Sequence, residues 1–115
     1  INAIIERDGV VGIGIFNGFF TQNRINQFEF TLDDLINAID YVCQLTGTCD
    51  HVAIGSDLDG GFGAASTPAQ INTAADLRRI PVALAARGYS ATDIDAIAHG
   101  NWLRLLRQSL PINTD

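Results

Sequence analysis

Two apolar runs limit what this chain can fold into. Val10-Val-Gly-Ile-Gly-Ile-Phe16 and His51-Val-Ala-Ile-Gly55 are short, rich in β-branched residues and apolar at nearly every position. A strand with one wet face alternates polar and apolar residues. A run without that alternation reads as a strand covered on both faces, the condition of a parallel sheet. Between the runs lies a helical stripe: Leu32, Leu35, Ile36, Ile39, Val42 and Cys43 recur at three- and four-residue spacings. Thr31-Leu-Asp-Asp34 opens it as a capping box with Asp in the acidic position, and Gly47 stops it. Strand, long loop, helix, strand is a βαβ unit, which predicts parallel strands and a right-handed crossover.

The flanks read mostly as helix. Residues 1–8 look like a helix end, with Ile1, Ile4 and Ile5 on one face and Gly9 behind it. Residues 17–30 have no period, but Phe19, Phe20, Phe28 and Phe30 predict a loop folded against a body. Thr67-Pro68-Ala69-Gln70 has the marks of a short helix or turn. Pro81 opens or kinks a helix running to Arg87, with Gly88 after it. Ser90 caps a helix over 91–98, Gly100-Asn101 interrupts it, and Trp102–Gln108 resumes it. Trp102 reads as a packing residue, and Arg78, Arg79, Arg104 and Arg107 as solvated helix faces. The tally is α/β, with two parallel strands and four or five helices. Two parallel strands alone leave edges and faces uncovered, so the pattern is that of a segment of a larger sheet or barrel.

Composition narrows the partners. The 115 residues carry a formal net charge of −6, which argues against nucleic acid and its need for basic patches. No apolar run approaches the ~18 residues of a membrane span, and no leader-peptide pattern occurs. The chain has no Met, so Ile1 reads as an end made by processing or cutting. Nothing in it decides a compartment. Cys43 and Cys49 read as two free thiols, one on the helix and one in the loop after it.

The sharpest chemical feature is Asp57-Leu58-Asp59, directly after the second apolar run. Active sites of parallel α/β folds lie at the carboxyl ends of strands. Acids there act in catalysis or hold a metal, or else they only cap turn amides beside Gly60 and Gly61. A calcium loop fails, because its next ligand positions fall on Gly61 and Pro68. A strand–Asp-x-Asp-Gly phosphatase resembling the haloacid dehalogenases calls for a downstream Lys, and this chain has none. Gly12-x-Gly14-x-x-x-Gly18 is no dinucleotide loop, since no capped helix comes directly after it.

The whole segment Asp50-His51-Val52-Ala53-Ile54-Gly55-Ser56-Asp57-Leu58-Asp59-Gly60 resembles the DHVGIGSDFDG signature of the membrane (renal) dipeptidase family, peptidase family M19. Arg7–Ile13 resembles that family's ERGGVIGI strand, and Ile39–Val42 its helix before the signature. Arg87–Ser90 and Gly100–Leu106 resemble its RGYS and GGNxLRVL segments. The matches keep their order from about residue 5 to 107. The resemblance implies a (β/α)₈ TIM-type barrel of which residues 1–110 are the C-terminal part, incomplete as a barrel, with 111–115 a frayed tail. The strands at 10–16 and 51–55 would be the seventh and eighth of the barrel. It implies a dipeptide substrate and a binuclear zinc centre in the full-length parent. Asp57 would be the acid/base or substrate-orienting group, and Asp59 a weaker, substrate-binding second. The family's metal ligands lie upstream of the matched part, so this segment is expected to hold no zinc and to be inactive alone. His51 and His99 read as structural or surface residues. Gly14 and Phe16, where the family often has an Asn-Phe-Tyr segment, and Ala38, where many members have His, depart from the pattern. The competing reading is a non-catalytic module whose open edges are covered by a second copy, a homo-oligomer.

Overall fold

The computed structural model describes residues 1–20 and 30–112; Phe28 and the last three residues of the expected frayed tail lie outside the described residues. The elements run α1 (Asn2–Ile5), β1 (Val11–Gly14), a 3₁₀ turn (Asn17–Phe19), α2 (Leu32–Thr46) and β2 (Val52–Ser56). Two further 3₁₀ segments come next (Ala64–Ser66 and Ala74–Arg78). Then come α3 (Arg79–Ala86), α4 (Ala91–Asp95), a π-helical stretch (Ala96–Gly100) and α5 (Asn101–Ser109).

β1 and β2 pair in parallel, as the sequence predicts. Val11 faces Val52, Gly12 faces Ala53 and Ile13 faces Ile54; Gly14 then faces Ser56, so Gly55 is an extra residue in β2. Such a bulge bends its strand and re-aims the residues beyond it. Only glycine fits there: a Cβ on Gly55 would stand 2.8 Å from the Gly12 carbonyl carbon. The regular ladder therefore ends sooner than the run 10–16, although the Ile15 amide still donates to the Ser56 carbonyl at 2.9 Å.

Ile13, Val52 and Ile54 pack with Ile15 into the main core. Leu35, Ile36, Ile39, Val42 and Cys43 of α2 cover them, joined by Ile71, Ile80, Leu84 and Ile97. Burial of each such side chain contributes about 1.5–3 kcal/mol. Cover on both faces holds for Val52 and Ala53, but Gly12 and Gly55 are exposed. The apolar character of the two runs thus extends beyond the positions that these described residues cover.

The helix signals hold well. The Asp34 amide donates to Thr31 Oγ1 at 3.2 Å and the Thr31 amide to Asp34 Oδ2 at 2.9 Å, closing the capping box of α2. Gly47 ends the helix with a left-handed φ of 73°. The Asp93 amide donates to Ser90 Oγ at 3.1 Å and starts α4. Arg87 Nη1 donates to Asn37 Oδ1 at 2.8 Å, tying the end of α3 to α2.

Two local expectations change, and one that left helix or turn open is decided. The left-handed residue after α1 is Asp8 (φ 56°), not Gly9. Gly9 serves a different need: a Cβ there would strike Ile4. At Thr67-Pro68 a turn forms and no helix. The Thr67 hydroxyl lies 2.9 Å from the Ala64 carbonyl and 2.6 Å from the Ile71 carbonyl, so it folds the loop instead of capping a helix. The next cap is Thr73 with Asp76. Third, Gly100-Asn101 does not interrupt the last helix. The chain widens into the π-helical stretch and runs on into α5.

That continuation buries Asn101, whose Nδ2 donates to the Cys49 and Val52 carbonyls at 2.7 and 2.8 Å. Trp102 packs as expected. Its Nε1 donates to the Ile54 carbonyl at 2.9 Å, and its ring lies where a Cβ on Gly12 would go. Arg104 is no solvated face. Its guanidinium donates to the Asp8 and Asp50 carbonyls at 3.0 and 2.8 Å and pairs with Asp8 Oδ2 at 2.8 Å.

Asn101→Ala leaves two buried carbonyls without donors and is expected to cost about 2 kcal/mol in urea denaturation of the natural protein. An unchanged midpoint and slope would contradict this assignment. The Asp76 carboxyl is held below its ordinary range, first by the Asn72 amide and then by that of Thr73. A lowered folded-state pKa gives stability that is present above the unfolded value and is lost as pH falls through the folded one. Asp76→Asn is therefore expected to be less stable than the parent at neutral pH, with the gap narrowing below about pH 4. Melting curves across pH 2–7 would read this.

Candidate active site at the carboxyl ends of the strands

The bulge at Gly55 delivers the chain into a strained turn. Ser56, Asp57 and Asp59 all take left-handed backbone angles, with φ of 57°, 64° and 65°. Ser pays roughly 1–2 kcal/mol for that conformation, and Asp less, since its short polar side chain tolerates it. The turn is held by the Leu58 amide donating to Ser56 Oγ at 3.1 Å and by the Gly60 amide donating to the Asp57 carbonyl at 3.1 Å. Leu58 packs against the core and anchors the turn between the two acids. Gly60 is small by necessity, because a Cβ there would collide with the Asp57 carboxylate.

Asp57 and Asp59 are both exposed. Among the described residues, neither carboxylate accepts a hydrogen bond or pairs with a cation, so neither caps a turn amide. Asp59 lines a cleft of about 370 Å³ together with Leu58, Phe62, Thr67, Asn72 and Thr73. The Asp57 carboxylate is turned against Gly60.

An aromatic group joins the loop after β1 to the loop after β2. Phe16 meets Phe19 edge-on at 5.2 Å between centroids, and Phe62 at 4.8 Å. Asn17 Nδ2 donates to the Thr67 carbonyl at 3.2 Å across the same junction. Phe20 stacks on Phe30 at 4.1 Å; Phe30 is buried, whereas Phe19 and Phe20 are exposed, so of the three described phenylalanines around the loop one folds into the body. Gly14 and Gly18 leave room for the Phe19 and Phe16 rings respectively.

The histidines lie elsewhere. His51 sits at the amino end of β2, where Nδ1 is 2.9 Å from the Gly9 carbonyl. A carbonyl only accepts, so Nδ1 carries the hydrogen. His99 is exposed in the π-helical stretch. Among the described residues no group of three His, Cys, Asp or Glu side chains is placed to hold a metal ion. Sequence reasoning missed Ser56 and Phe62 as parts of this site. Phe62 had a usable signal, being the one aromatic residue in the Gly/Ala loop 60–65.

Comparison with known proteins converges on one family. The sequence profile of the membrane dipeptidase family, peptidase family M19, matches residues 1–113. An uncharacterised protein from the pqqA 5′ region of Klebsiella pneumoniae is 34% identical over 107 residues, covering 93% of this chain and 38% of that protein. An uncharacterised dipeptidase of Schizosaccharomyces pombe is 30% identical over 100 residues, covering 87% of this chain and 23% of the relative. The chain thus spans well under half the length of these relatives. Among solved structures, a metallopeptidase of family M19 called dipeptidase AC superposes with a TM-score of 0.75 at 29% identity, over 90% of this chain and 29% of the other. A metallopeptidase from Rhodobacter sphaeroides, bound to a phosphinate mimic of the dipeptide L-Ala-D-Ala, gives 0.76 at 28% identity, over 91% and 28%. On this agreement of sequence, strand pairing and fold, the chain belongs to the membrane dipeptidase family, peptidase family M19, and corresponds to its C-terminal portion.

Proposed function

We propose that these residues are the last part of a metal-dependent dipeptidase barrel, with β1 and β2 as its seventh and eighth strands. Residues 1–110 would belong to that barrel domain, and 111–115 would be its tail. The observation that carries the reading is the strained turn 56–59. It sets two carboxylates, neither partnered among the described residues, at the carboxyl ends of parallel strands. Barrel enzymes keep their chemistry at that end. The ligand-bound relative is a metallopeptidase holding a dipeptide mimic, which supports a dipeptide substrate here.

Among the described residues no donor set suits a metal centre, and the pair of zinc ions that the family resemblance implies would be held by residues upstream. A bound zinc pair supplies an activated water and a polarised carbonyl. What this chain adds is acidic. Asp57 is the acid/base or substrate-orienting group: it holds the substrate's ammonium group or carries a proton to the leaving nitrogen. Asp59, on the wall of the cleft, is the weaker second and contacts substrate. The arrangement favours this over a module completed by a second copy, because carboxylates retained in a strained turn have no use at a purely structural edge.

Asp57→Asn in the full natural protein is the direct test. Asn tolerates left-handed backbone, so the turn survives while the charge is removed. The expected result is a fall in kcat of about 100-fold or more with metal content unchanged. Wild-type turnover in that variant would overturn the role. Asp59→Asn is expected to raise KM more than it lowers kcat. The isolated 115-residue segment, supplied with zinc, is expected to show no dipeptide hydrolysis above the metal-only blank.

A further inference from the structure

Away from the carboxyl ends of the strands, two thiols share one cleft. Cys43 lies near the end of α2 and Cys49 in the turn that enters β2, and the left-handed Gly47 folds one back towards the other. Both are buried and free, and each is the other's side-chain hydrogen-bond partner. A cavity of about 370 Å³ opens onto both, lined also by Gln44, Thr48, Tyr89 and Asp93. We infer that Cys43 and Cys49 form a dithiol site that reacts with small peroxides and closes to an intramolecular disulfide across the α2–β2 turn.

The surroundings oppose ionisation of both thiols. Burial raises both thiols above the ordinary range, and Cys49 the more strongly. Hydrogen bonds from Cys49 and Tyr89 partly offset the rise at Cys43, while Asp40 and Asp93 oppose its ionisation. Asp93 and Asp50 act on Cys49 in the same sense. Either thiol can attack first with the same product. When Cys43 attacks, its sulfur displaces one oxygen of the peroxide O–O bond, giving a sulfenic acid and, after protonation, water. The Cys49 sulfur then attacks the sulfenic sulfur, the S–O bond breaks, and the departing hydroxide takes a proton as a second water. Two thiols are oxidised and one peroxide is reduced. The high thiol pKa values make this site slow at neutral pH. The cavity gives a small peroxide room to reach the buried sulfurs.

The chain makes the test direct. It has no lysine, and Arg24 and Arg78 bound a peptide, residues 25–78, that contains both of its cysteines. The natural protein is treated with hydrogen peroxide while folded, quenched with catalase, alkylated in denaturant and digested with trypsin. The expected peptide carries no alkyl group and is lighter than the reduced form by two hydrogen atoms. It regains two alkylation sites after dithiothreitol. Cys49→Ser is expected to abolish the two-hydrogen loss and to leave Cys43 alkylatable or as the sulfenic acid. If the parent peptide keeps both alkylation sites, gains oxygen on either sulfur, or joins to a different peptide, the inference is overturned. The wild-type readout stands even if a variant fails to fold.

Discussion

The register of β1 on β2, with one residue too many in β2, governs the rest of the molecule. Gly12 and Gly55 meet backbone to backbone, with no room for a side chain between them. Their closeness lets β2 bulge without parting from β1, since the Ile15 amide still reaches the Ser56 carbonyl beyond the bulge. A bulge raises local twist and changes the direction of the chain. The turn at 56–59 inherits that direction. Phe16, one residue past Ile15, then stands where Phe62 can pack on it, which brings the loop after β2 over the loop after β1. The site is thus shaped by two missing side chains in the strands beneath it.

A pair of parallel strands makes few hydrogen bonds, and the C-terminal helix supplies others. Asn101, Trp102 and Arg104 all reach carbonyls about fifty or more residues earlier in the chain: Cys49, Asp50, Val52, Ile54 and, for Arg104, Asp8. These carbonyls line the entry and first half of β2 and the turn before β1. The π-helical stretch just ahead explains how one helical turn can present all three donors. An extra residue in a turn advances the phase of the helix after it by about 100°. Asn101 then faces inward, where an uninterrupted α-helix would have set it on another face. Gly100 fits this crowded turn, since a Cβ there would stand 3.3 Å from the Asp95 carbonyl oxygen.

What the sequence revealed divides along physical lines. Features set by neighbours in the chain were legible: the capping box at Thr31, the Gly47 and Gly88 stops, the Ser90 cap and the stripe of α2. The parallel strands were legible too, because apolar runs without alternation have few other uses. Features set by distant contacts were not. Arg104 looks like any exposed helical arginine until Asp8 and Asp50 are beside it. Gly100-Asn101 looks like a break because glycine and asparagine usually end helices, and nothing local shows that Asn101 has two buried carbonyls waiting for it. At the candidate site, the sequence singled out Asp57 and Asp59 but could not show their backbone angles. It weighed turn caps against chemistry, and among the described residues neither carboxylate caps an amide.

The strain itself bears on that choice. Gly60 and Gly61 show that glycine is available in this loop, yet the left-handed angles at 56, 57 and 59 are taken by Ser and Asp. Glycine would relieve roughly 1 kcal/mol or more at Ser56 and less at Asp57 and Asp59, because Asp tolerates left-handed backbone. Ser56 recovers part of its cost through the bond from the Leu58 amide. Asp57 and Asp59 recover nothing comparable, since their carboxylates bond to no described group. Both carboxylates stand at the carboxyl end of β2, and Asp59 also lines the cleft formed within the segment after that strand.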